Sequence, residues 1–191
     1  MDKIKFFGKI IDEEKFNIYE ISKILDNNLE YAITLKNWIN SNERIGCELL
    51  YRLSEHGKKI SKFHELCDNK GPLLTLYQIK NGDKIGIYTP LILDKNKSGW
   101  QNDIGTFIFN LNQNKKYKKI KNDSSLYYNI QYGIYTAVFG NDSNCGNMNK
   151  LVHWSNYINS YFENGSEILP SKGEKTFYEL LEVEVFEVLN N

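Results

Sequence analysis

Glu182 and Glu184 stand two residues apart in the run Leu181 to Phe186, so on an extended chain both carboxyls leave the same face. A pair of that kind has the makings of a general acid and base. Alternation with Leu181, Val183 and Val185 favours a plainer reading, a strand whose glutamates form its wet side. The phase slips at Phe186, which predicts a bulge or burial on both faces. His64 and Cys67 lie three apart, as two metal ligands on one helix face would. A structural zinc takes four ligands, and the remaining candidates, Cys145 and His153, come from an ill-patterned stretch and beyond it. Cys67 shares its face with Phe63, which predicts a small buried hydrophobe with His64 beside it. His56 is placed in the turn before Gly57. The chain has no Gly-x-Ser-x-Gly elbow, no phosphate loop and no dinucleotide-binding glycine pattern. Neither catalytic residues, nor a metal, nor a cofactor is expected.

Two stretches carry residues suited to contacting a partner. Lys115, Lys116, Lys118, Lys119 and Lys121, interleaved with Tyr117 and Ile120, form a basic cluster that suits phosphates or an acidic protein surface. In a chain of balanced charge it reads better as an exposed strand or loop whose lysines discourage edge pairing. The connection from Pro90 to Asp103 supplies the partner-binding candidates, Lys95, Lys97 and Trp100. Long connections on a rigid sheet are where binding groups tend to sit, and tryptophan is enriched among interface hot spots. The competing reading has Gly99 and Trp100 anchoring that loop to the fold.

The elements that must position these residues are legible in outline. Ile45, Leu49, Leu50 and Leu53 have a helical period that predicts a helix leaving at Gly57; Phe63, Leu66 and Cys67 predict a second, capped by Ser61 and stopped by Gly71 and Pro72. Asn81, Gly82 and Asp83 predict a hairpin turn. Strands are expected at 73–80, 84–89, 106–111, 126–130, 134–139 and 176–188. Ile18, Ile21 and Leu25, then Ile33, Leu35, Trp38 and Ile39, predict a helical lead-in over 1–40, packed on the core. Helices confined to the N-terminal third and strands thereafter imply an α+β fold, an antiparallel β-sandwich flanked by short helices, over 1–191 as one domain.

An ordered set of residues carries a resemblance. It runs through Leu49, Leu50, Tyr51, Arg52, Ser54, His56 and Gly57, then Phe63, His64, Cys67, Asp68, Asn69, Lys70, Gly71 and Pro72. Leu74, Leu76, Gly86, Tyr88 and Thr89 follow, then Gly99, Trp100, Phe107, Phe109, Leu111, Phe139 and Gly140, and finally Glu182 to Phe186. This series resembles the TLDc domain. The family's paired glycine before the tyrosine stands here as Gly86 and Ile87, and the Asn-rich stretch Asn141 to Lys150 departs from the family pattern. The resemblance implies a sandwich fold, association with the vacuolar-type proton-pumping ATPase and a role in oxidative-stress resistance.

Composition narrows the alternatives. Lys plus Arg equals Asp plus Glu at 24 each, so a general attraction to nucleic acid or anionic membrane is not expected. No apolar run reaches bilayer-spanning or signal-peptide length, and three cysteines make no disulfide framework, which together predict a cytoplasmic chain. The leading expectation is a monomeric, non-catalytic interaction domain, its partner the soluble sector of the V-ATPase. The alternatives are a small hydrolase or peroxide-handling enzyme, and a ligand-binding sandwich with the aromatics of 127–135 lining a pocket.

Overall fold

A computed structural model describes residues 5–6, 9–10, 18–39, 45–94, 97, 99–120, 124–128, 135–136, 139–141, 148–170 and 173–190. The elements in chain order begin with β1 (Lys5–Phe6), β2 (Lys9–Ile10), α1 (Ile18–Ile21), α2 (Leu29–Ile39), β3 (Ile45–Arg52), α3 (Leu53–His56) and α4 (Ile60–Cys67). There follow β4 (Leu73–Ile79), β5 (Lys84–Thr89), β6 (Gly99–Asn102), β7 (Phe107–Asn110), β8 (Lys115–Lys118) and β9 (Ser124–Tyr128). The last are β10 (Tyr135–Thr136), β11 (Phe139–Asn141), β12 (Lys150–Trp154), α5 (Ser155–Ile158), a 3-10 turn at Gly165–Glu167, and β13 (Lys175–Asn190).

β13 organises the sheet because it is long enough to belong to two layers. Its first part, Lys175 to Glu179, pairs with β12, and through β11, β10 and β9 the path ends at β6. Its second part pairs with β4 on one side and β3 on the other, and from β4 the path runs through β5 and β7 to β8. All these pairings are antiparallel. Leu126 and Leu151 from one layer meet Tyr77, Ile85, Ile87 and Ile108 from the other, with Phe63 and Cys67 of α4 closing the cluster. The opposite face of β4, β5 and β7 presents Leu74, Leu76, Phe107 and Phe109 to Ile18, Leu25, Ala32 and Leu35 of the helical lead-in. Each large apolar side chain so buried contributes about 1.5–3 kcal/mol. The result is the expected α+β sandwich with short helices.

Several local expectations are corrected. Ile45 to Arg52 is a strand, not a helix, because β13 pairs with it from Arg52 to Ile45 and buries both its ends. A short apolar run buried on both faces cannot be told from a helix by its period. Only Leu53–His56 remains helical there, leaving at Gly57 with φ 77°. Ser61 does not cap α4, which starts at Ile60 after Lys59 with no side-chain cap. The helix also ends before Gly71: the Asp68 amide donates to the His64 carbonyl, and the left-handed residue is Asn69, φ 61°. Gly71 is needed for a different reason, since a Cβ there would lie 2.3 Å from the Leu91 carbonyl oxygen. Helices are not confined to the N-terminal third, since α5 and the 3-10 turn follow β12. The hairpin at Asn81 to Asp83 and the register shift between Val185 and Phe186 are as expected.

Candidate functional site

Glu182 and Glu184 are not the wet side of β13. Glu184 is fully buried, Glu182 nearly so, and Leu181 is the exposed residue at 56 %. A cross-strand cation explains how a carboxylate is held there. Arg52 of β3 lies opposite Glu184 in the ladder, and its Nε donates to Glu184 Oε1 at 2.7 Å. The Lys23 amide donates to the same oxygen at 2.9 Å, and the Ser22 hydroxyl donates to Oε2. Arg52 also donates to the Ile21 carbonyl and, through Nη1, to Glu55 at 2.8 Å, where Lys23 Nζ arrives at 3.0 Å. Glu182 accepts from the Ser54 amide at 3.0 Å, fixing the start of α3. The pair suggested as acid and base is therefore bonded into a clamp joining the lead-in to β3 and β13. A charged Arg52 inside an apolar run, with glutamates in another, was the sequence signal for it.

The two residues of the metal-like pair have other partners. His64 Nδ1 bonds Asp68 Oδ1 at 2.8 Å, while Cys67 packs in the core, where burial pushes its thiol up. Cys47 is likewise pushed up to about 12 by burial. Cys145 lies outside the described residues. His56 closes α3 as expected, its Nδ1 accepting from the Arg52 amide at 2.9 Å.

The partner-binding candidates separate. Lys95 lies outside the described residues; Lys97 is exposed, its ammonium 3.8 Å from Asp94. Trp100 is in β6, paired with β9, and not in a loop. Its side chain is 51 % exposed at an outer strand of the sheet, so it is no buried anchor. The anchor is Leu93, buried in the core, whose amide and carbonyl bond Lys70 and Asn69 at 3.0 and 2.7 Å.

A family model for the TLDc domain matches residues 18–188. The chain belongs to the TLDc family. No curated protein matches it. Within this TLDc fold, the residues that carried the resemblance mostly serve the scaffold. Tyr51 donates its hydroxyl to the Gly57 carbonyl at 2.6 Å. Gly86 lets the Phe109 ring lie across β5, where a Cβ would come within 2.3 Å of it. Trp100 differs from these as a large aromatic side chain left half exposed.

The basic cluster divides as well. Lys115 pairs with Glu167 at 2.7 Å, and Lys119 is buried, donating to the Asp103 carbonyl. Lys116 donates to the Trp38 carbonyl at 2.9 Å and Lys118 is exposed; Lys121 lies outside the described residues. β8 is an outer strand, but Ile120 and Glu163 tie its end to the segment following α5. Among the described residues no helix is long and apolar enough to cross a membrane.

Proposed function

We propose that this chain is a non-catalytic interaction domain that binds and regulates the soluble sector of the vacuolar-type proton-pumping ATPase, acting as a cytoplasmic monomer in oxidative-stress resistance. The TLDc match over residues 18–188 carries this reading. The geometry supports it further: the carboxylates that resembled an acid–base pair are bonded to Arg52, Ser22 and backbone amides, and a large aromatic, Trp100, is offered to solvent on an outer strand. An exposed tryptophan flanked by Lys97 is suited to an interface with an acidic rim. The test is co-sedimentation of purified chain with the pump's soluble sector, with turnover of generic ester and peroxide substrates measured on the same preparation. Association without turnover is expected.

A further inference from the structure

A cavity of about 440 Å³ opens where the end of α2 meets the outer face of β5, β7 and β8. Its apolar lining comes from Trp38, Ile39, Tyr88, Phe107 and Ile104, the last 54 % exposed at the mouth. Lys116 and Lys118 of β8 stand at the same opening. The volume is in the range of ligand sites, and aromatic walls with a few charged groups are the usual composition of one.

Among the described residues the charges around it do not balance. The Lys116 ammonium bonds a neutral acceptor, the Trp38 carbonyl, and lies 4.7 Å above the Phe107 ring. Burial, and then the like charge of Lys118, lower its pKa, so it gains from a nearby anion. Among the described residues no carboxylate pairs with Lys116 or Lys118. The nearest acid of the connection, Asp103, is engaged by the Gly105 amide, the Thr106 amide and the Thr106 hydroxyl at 2.9, 2.6 and 2.7 Å. At the cavity beside Phe177, by contrast, Lys80 is already paired with Glu179 at 3.0 Å, and nothing there selects an occupant.

We propose that this cavity receives an acidic segment of a protein partner, one apolar side chain entering between Trp38 and Phe107 and adjacent carboxylates meeting Lys116 and Lys118. Two unbalanced cations beside an apolar recess match that chemistry, whereas a nucleic acid would need a longer basic track than a chain of zero formal net charge supplies here. The inference deepens the reading of the chain as an interaction domain and rests on it.

The experiment titrates ¹⁵N-labelled chain with a short synthetic peptide holding one leucine between runs of glutamate. The Trp38 indole signal, assigned with Trp38→Phe, and the amides of 104–107 are followed. A glutamine-for-glutamate peptide and 3-phenylpropionate serve as controls. The glutamate peptide is expected to shift these signals, the glutamine peptide not, and Lys118→Glu to weaken binding about tenfold or more. Lys118 is the chosen position because its side chain is exposed on β8, and the melting temperature of the variant separates loss of binding from loss of fold. Unmoved signals, equal binding of the glutamine peptide, equally tight 3-phenylpropionate, or an unaffected Lys118→Glu variant would each overturn the proposal. Peptide response without association to the pump's soluble sector would remove the functional reading and leave the cavity's specificity. Association without peptide response would do the reverse.

Discussion

Arg52 and Glu184 face each other across the β3–β13 ladder, with Nε and Oε1 2.7 Å apart and both side chains withdrawn from solvent. Removing one partner strands the other's charge in the interior, which costs about 3–5 kcal/mol. Arg52→Met and Glu184→Leu should each lower the melting temperature sharply. The double variant should recover much of the loss, because neither charge of the pair is then left stranded. Single variants that melt like wild type would show that the pair does not hold the lead-in.

Acid should weaken the fold first through His153. Burial pulls this imidazole from its ordinary 6.5 to about 4. The unfolded chain therefore takes the proton first, so stability is complete above pH 6.5 and is lost as pH falls toward 4, by up to about 3 kcal/mol. Melting temperature against pH for wild type and His153→Gln checks this. Whatever their offset, the variant's curve should be flatter across that window.

A lower window belongs to Glu55. Hydrogen bonds from Arg52 and Lys23 hold its carboxyl down from 4.5 to about 2. A depressed carboxylate stabilises above its unfolded value, so the contribution is complete above pH 4.5 and fades as pH falls through about 2. Because the group is half-exposed, the effect is modest. The stability gap between wild type and Glu55→Gln should narrow over that range, and a constant gap would contradict the assignment.

Gly71→Val should destabilise by more than about 1 kcal/mol, since a side chain there takes a strained positive φ and also meets the Leu91 carbonyl. Hydrogen exchange separates this from a helix-stop effect: protection should fall at Leu93 and Asn69, which are joined across the close approach, while α4 keeps its own.

The sequence showed the hairpin at Gly82, the bulge at Phe186 and the α+β class because each rests on local chemistry: turn residues, alternation, and a change of period. It misplaced Ile45 to Arg52, Ser61, Glu182 and Glu184 because their states are set by partners distant in the chain. A glutamate on an alternating strand looks wet until Arg52, far along the sequence, is found opposite it. Trp100 was legible as a candidate, but not its strand, since β6 exists only by pairing with β9. The recess between α2 and β8 joins residues from four elements, and no local pattern announces it.

Co-sedimentation of wild type, Trp100→Ala and Lys97→Glu with the pump's soluble sector, alongside their melting temperatures, tests the central claim most directly. Trp100 is half-exposed, so its loss should cost less than the roughly 3–5 kcal/mol of a core aromatic. The account predicts that wild type associates, that Trp100→Ala folds yet associates at least about tenfold more weakly, and that Lys97→Glu weakens association in a salt-dependent way. A wild-type chain that stays in the supernatant at every concentration would contradict it.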